Sequence, residues 1–152
     1  PELITEYRVI GYENKQLTED EFENEEADSG EVGSGHTTVV TYEVKLNPDE
    51  AVLQNPKFLD ITINYKDPTT DESKTLTDTF YTNEINYSNE DFIFVSCIVE
   101  LSLVLRDSSY KANANLQNVL SRLESLQNIQ NDVYKLEFIE LVKKVMENNL
   151  IQ

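Results

Sequence analysis

The nineteen residues from Asn89 to Asp107, NEDFIFVSCIVELSLVLRD, constrain the fold more than any other stretch of this chain. Phe92, Ile93, Phe94, Val95, Ile98, Val99, Leu101, Leu103, Val104 and Leu105 cover nearly every side of a helix. A helix that is apolar all round must be surrounded by protein. Val99, in the middle of the run, is expected to be buried deeply enough that Val99→Asp would unfold the domain. The run from Phe92 to Leu105 is interrupted by Ser96, Glu100 and Ser102. Spanning a bilayer takes about 20 apolar residues, and runs of roughly 10–14 are usually buried helices. The stretch therefore reads as a core helix, with no transmembrane segment expected.

A length of 152 residues suits one domain with a real core. The formal net charge of -17 argues against nucleic acid and anionic membrane surfaces as partners, because both need a basic footprint. The charge is uneven. Residues 1–88 hold 20 acids and 6 bases, whereas residues 89–152 hold 9 and 6. One cysteine rules out an internal disulfide. The chain begins at Pro1 without Met, which suggests a piece of a larger protein whose targeting segment lies elsewhere.

Tyr7 to Tyr12 is rich in β-branched and aromatic residues and reads as a short strand. Residues 13–35 read as a polar acidic loop, with Glu19, Asp20, Glu21, Glu23, Glu25, Glu26, Asp28 and Glu31 placing eight acids within thirteen residues. A second strand is predicted over Thr37–Leu46. Leu59–Lys66 alternates most clearly, with Leu59, Ile61, Ile63 and Tyr65 on the face predicted to point inward. Asp67-Pro68-Thr69-Thr70-Asp71 is turn chemistry, and Lys74–Tyr81 returns as the partner strand. Ser88 is the expected cap of the central helix, with Asp91 three residues on. Asn115 opens a second helix, along which Leu116, Val119, Leu120 and Leu123 share a face. Asn131 or Asp132 opens a third, striped by Tyr134, Phe138, Leu141, Val142, Val145 and Met146. Strands first and helices after indicate α+β: an antiparallel sheet from the N-terminal half (residues 1–88) packed against three helices in residues 89–152, as one domain over residues 1–152.

Chemistry is sparse. The acidic loop could hold Ca²⁺, which takes six to eight oxygen ligands. Glu19, Asp20, Glu23, Glu26, Asp28 and Glu31 are the candidate ligands, although the EF-hand spacing is absent and a solvated loop is the plainer reading. Gly30-Glu31-Val32-Gly33-Ser34-Gly35 lacks the Gly-Lys-Ser/Thr ending of a phosphate loop. His36 is the only histidine, without the cysteine pair that a zinc site needs. Cys97 follows Phe94-Val95-Ser96 in the outline of a lipoprotein cleavage site, yet it sits mid-chain and reads as a small core residue. Asp71-Glu72-Ser73-Lys74-Thr75 has the form D-x-S-x-T, near the D-x-S-x-S of metal-ion-dependent adhesion sites, but follows a Pro-containing turn rather than a buried strand. No catalytic grouping or resident cofactor is expected.

Several segments, taken in order, resemble one bacterial family. They are Tyr7-Arg8-Val9-Ile10-Gly11-Tyr12-Glu13-Asn14, then Asp28 to Thr37 (DSGEVGSGHT), Thr41-Tyr42-Glu43-Val44, Leu105-Arg106-Asp107-Ser108-Ser109-Tyr110-Lys111 and Tyr134 to Val142 (YKLEFIELV). The chain is similar to the C-terminal domain of YfbK-type proteins, which follows a von Willebrand factor A domain. The resemblance implies a larger exported or lipid-anchored envelope protein with its metal-binding A domain upstream of Pro1. It supplies no catalytic residues. The heavier acidic load from Glu19 to Glu26 departs from the family pattern. The function so implied is a non-catalytic module for protein interaction or adhesion beside that A domain. The alternative is a divalent-cation-binding module built on residues 19–31. An enzyme organised around His36 and the Gly30–Gly35 turn is the third reading.

Overall fold

The computed structural model describes residues 3–11, 33–49 and 56–148. The chain divides into two compact units, Pro1–Ile85 and Asn86–Gln152. Strands fill the first and helices the second, so the α+β class holds.

The strands form two separate two-stranded sheets rather than one. In the first, β1 (Ile4–Ile10) runs antiparallel to β2 (Thr41–Leu46), with Tyr7 opposite Val44 and Val9 opposite Tyr42. The first strand starts earlier than predicted and stops before Gly11, whose φ of +102° turns the chain out of the ladder. The second strand begins at Thr41, not Thr37, because Thr41 pairs with Ile10, the last residue of β1. β-propensity marks which residues fit a strand, but the partner's length decides where pairing stops.

In the second sheet, β3 (Lys57–Lys66) pairs with β4 (Ser73–Tyr81) from Lys66 opposite Ser73 to Lys57 opposite Tyr81. The turn chemistry acts as predicted. Asp67 Oδ1 accepts the backbone N–H groups of Thr69 (2.9 Å) and Thr70 (3.3 Å), and Asp71 takes up the left-handed conformation at φ 58°. The Lys74 ammonium also binds Asp67, and its donation, ahead of those two N–H groups, holds the Asp67 carboxyl below its ordinary pKa. The predicted inward face is not closed over. Leu59, Ile63 and Tyr65 all remain exposed, and only Ile61 is half-buried.

The second unit carries α1 (Glu90–Leu105), α2 (Leu116–Glu124) and α3 (Val133–Glu147). Asn115 caps α2 as the sequence indicates, and of the two residues it offers for α3, Asn131 and Asp132, the cap is Asp132. Asp132 accepts from the backbone N–H groups of both Tyr134 and Lys135. At α1 the cap is Asn89 rather than Ser88. The Asn89 side chain accepts from Phe92 N at 3.0 Å, and two adjacent cap-forming residues left the start ambiguous by one position. Cys97 and Leu101 of α1 join Val119 and Leu123 of α2, Leu126, Ile129, and Ile139 and Val142 of α3 in one buried cluster. Phe94 and Phe138 meet edge to face across α1 and α3, with centroids 5.6 Å apart.

The expectation that α1 is enclosed on every side is corrected. Cys97, Leu101, Leu103 and Val104 are buried, whereas Phe92, Ile98 and Leu105 are exposed. Val99, expected at the centre, is half-buried and lies outside the buried cluster. A uniformly apolar helix carries no directional pattern, so its sequence gives no sign of which side the neighbouring helices take.

Candidate functional site

The β3–β4 hairpin has two chemically distinct faces. On one, Thr79 Oγ1 donates to Asp60 at 2.8 Å, Thr75 Oγ1 donates to Asn64 Oδ1 at 2.9 Å, and Thr62 sits opposite Thr77. Hydrogen bonds from Lys57 first and Thr79 second hold the Asp60 carboxyl below its ordinary value. This face is a hydrogen-bonded surface suited to water. On the other face the cross-strand pairs are Leu59 with Phe80, Ile61 with Asp78, Ile63 with Leu76 and Tyr65 with Lys74. Leu76 is 57% exposed, and Ile63 and Tyr65 are each 48% exposed. Apolar pairs stabilise a sheet chiefly when something covers them. A lone two-stranded hairpin is marginal in water, and this one carries its apolar pairs exposed.

In the helical unit the polar groups are engaged with one another. The Glu90 carboxylate accepts the backbone N–H groups of Gln127 (3.0 Å) and Asn128 (2.6 Å), at the start of a 3₁₀ turn, Asn128–Asn131. Asp91 Oδ1 accepts from Asn128 Nδ2 at 2.9 Å and from Lys135 Nζ at 2.7 Å. The same Lys135 Nζ lies 5.1 Å from the centroid of the Phe94 ring. Arg122 of α2 reaches back to Glu100 and to Ser96 Oγ on α1. Sequence reading missed this pairing. Its signal was Glu100 itself, an acid in an otherwise apolar run, which asks for a cation on the neighbouring element. A surface depression of about 650 Å³ beside α3 is lined by Val133, Leu136, Glu140 and Lys143 among others. Lys143 there pairs with Glu140 (3.1 Å) and Glu124 (3.4 Å), and those bonds raise its pKa, Glu140 contributing first.

Asp91 gives a pH test. The Lys135 ammonium, and after it the Asn128 amide, holds its carboxyl below the ordinary aspartate value of 3.8. A depressed folded-state pKa contributes stability that is present above the unfolded value and lost as pH falls through the folded one. The melting temperature of the helical unit is therefore expected to drop as pH falls from about 5 to about 3. Asp91→Asn should melt lower at neutral pH and lose part of that acid-side slope. Equal slopes in the two proteins would mean that Asp91 contributes nothing to the acid sensitivity.

The candidates singled out in the sequence scatter. Glu19, Asp20, Glu23, Glu26, Asp28 and Glu31 lie outside the described residues. His36 is exposed, and its backbone N–H donates to Gly33 O at 3.1 Å in a tight turn. Asp71, Ser73 and Thr75 belong to the β3–β4 turn and the start of β4. Cys97 is fully buried in α1; desolvation pushes its thiol pKa up, against a smaller lowering by Arg122. Among the described residues no three His, Cys, Asp or Glu side chains gather as a metal site, and no helix is long and apolar enough to cross a membrane.

Strands in the first half, three capped helices in the second and an open apolar hairpin face define a chain of the α+β class. Compared with known proteins, this chain matches the family described as "Uncharacterized protein YfbK, C-terminal" over residues 1–147, and it belongs to that family. It is 28% identical over 158 aligned positions to the protein named "Uncharacterized protein YfbK" of Escherichia coli (strain K12). The match covers 94% of this chain and 27% of that relative, so the chain spans about a quarter of the relative's length. No solved structure matches it.

Proposed function

We propose that this chain is a non-catalytic C-terminal module of a larger exported, envelope-located protein. There it supports a neighbouring von Willebrand factor A domain and takes part in protein interaction or adhesion. The observation that carries this reading is the family match over residues 1–147. The exposed apolar pairs of the β3–β4 hairpin agree with a role in contacts rather than turnover. The test is calorimetric titration of the purified chain with the A domain of the longer protein. Saturable binding is expected. Absence of binding, together with hydrolytic turnover that His36→Ala abolishes, would replace this reading with an enzymatic one.

A second reading rests on the eight acids between Glu19 and Glu31. Such a carboxylate density suits a divalent cation with oxygen ligands, Ca²⁺ before Mg²⁺. A ligand at about 100 times its dissociation constant stabilises by roughly 2.7 kcal/mol. A calcium-specific rise in melting temperature is expected if the segment is a site. An unchanged melt in millimolar Ca²⁺ and Mg²⁺ would leave those acids as solvated surface.

A further inference from the structure

We infer that the apolar face of the β3–β4 hairpin docks an apolar segment from elsewhere in the longer protein, and that this segment brings a Lys or Arg to Asp78. The inference rests on the reading of this chain as one module of a larger chain. Three observations select the occupant.

The first is the face itself. Leu59, Ile63, Tyr65, Leu76 and Phe80 are all exposed on one side, while the opposite side is closed by its own Thr, Asp and Asn hydrogen bonds. Only the apolar side gains by being covered.

The second is area. Strands of nine and ten residues make a face roughly 30 Å long and 10 Å wide. Two such faces together bury about 600 Å², half or less of the roughly 1,200–2,000 Å² found in stable complexes. A second copy of this chain, which would also bring a net charge of -17 against -17, does not fit. A segment tethered in the same polypeptide does fit, because tethering gives an effective concentration of about millimolar and a small face then suffices. The curated relative has such chain to spare, since the match covers 27% of it.

The third is Asp78, which lies between Leu76 and Phe80 on the apolar face and opposite Ile61. Asp78 Oδ1 accepts the Thr79 backbone N–H at 2.8 Å, and covering the face desolvates the rest of the carboxylate, a cost that a cation on the occupant offsets. That offset sets the chemistry inferred for the occupant: apolar side chains flanking one Lys or Arg.

Hydroxyl-radical footprinting of the 152-residue chain and of the longer protein tests this directly. In the short chain Leu76, Phe80 and Tyr65 should be oxidised freely. In the longer protein their oxidation should fall about fivefold, the change from half-exposed to buried. Tyr134 on α3, 84% exposed, serves as the control and should not change. Asp78→Lys in the longer protein should restore oxidation at Leu76 and Phe80. Protection left intact by that substitution would overturn the cation. Equal oxidation in both proteins would overturn the docking. Protection of the short chain that grows with its concentration would assign the face to a second copy and overturn the tethered segment. Protection at Tyr134 but not at Leu76 would leave the module reading standing and sink only this surface. Protection nowhere would count against both.

Discussion

Val119→Asp is expected to abolish the cooperative melt of the helical unit. Val119 has no exposed surface, and Cys97, Leu101, Leu123 and Ile129 belong to the same buried cluster. An unpaired carboxylate placed there costs several kcal/mol, and whole domains have only about 5–15 kcal/mol to lose. Val99→Asp serves as the comparison. Val99 is half-buried and outside the cluster, so a charge there can reach water and the loss should be distinctly smaller. Far-ultraviolet circular dichroism during heating reads both. A native-like melt for Val119→Asp would show that the buried cluster does not hold the helices together.

The second large effect concerns Cys97. Its thiol is fully buried and its pKa is raised by desolvation, so the reactive thiolate is suppressed twice. In the folded protein, alkylation by a water-soluble thiol reagent is expected to proceed only through opening of the helical unit. If that opening costs about 5 kcal/mol, labelling slows by between three and four orders of magnitude relative to the chain in denaturant. Leu123→Ala should recover much of this rate. Leu123 is fully buried, and such truncations cost about 2–5 kcal/mol. Native-state labelling as fast as in denaturant would mean that Cys97 is not sealed between the helices.

Particular residues explain what could be read in advance. Asn115 and Asp132 were legible because a short polar acceptor before an apolar periodic run satisfies backbone donors by local geometry alone. Asp67 was legible for the same reason, since its carboxylate folds back on Thr69 and Thr70 within three residues. The surroundings of α1 were not legible. Its ten apolar residues predict burial at all azimuths, and only the three-dimensional course of α2 and α3 leaves Phe92, Ile98 and Leu105 open. The hairpin alternation placed Leu59, Ile63 and Tyr65 on one face, as found, but that face, expected to point inward, is exposed, because period two separates two sides without saying what lies beyond either. The carboxylates from Glu19 to Glu31 were conspicuous by composition, yet composition holds no distances. The Glu90 clasp on Gln127 and Asn128 joins residues 37 and 38 positions apart through backbone groups, which leave no mark on residue identity.

The two hairpins differ in how far along the chain their strands are separated, and this sets an order of events in time. Six residues connect β3 to β4, whereas thirty connect β1 to β2. Closure entropy grows as about three-halves RT times the logarithm of loop length, so the longer closure is handicapped by roughly 1.4 kcal/mol, a factor of about ten. The β3–β4 hairpin, with Asp67 already bending its turn, can form within about 1–10 μs, and β1 finds β2 afterwards. Because the same logarithm is shallow, doubling the connection between β1 and β2 would add only about 0.6 kcal/mol. A lengthened connection would therefore cost the β1–β2 pairing little.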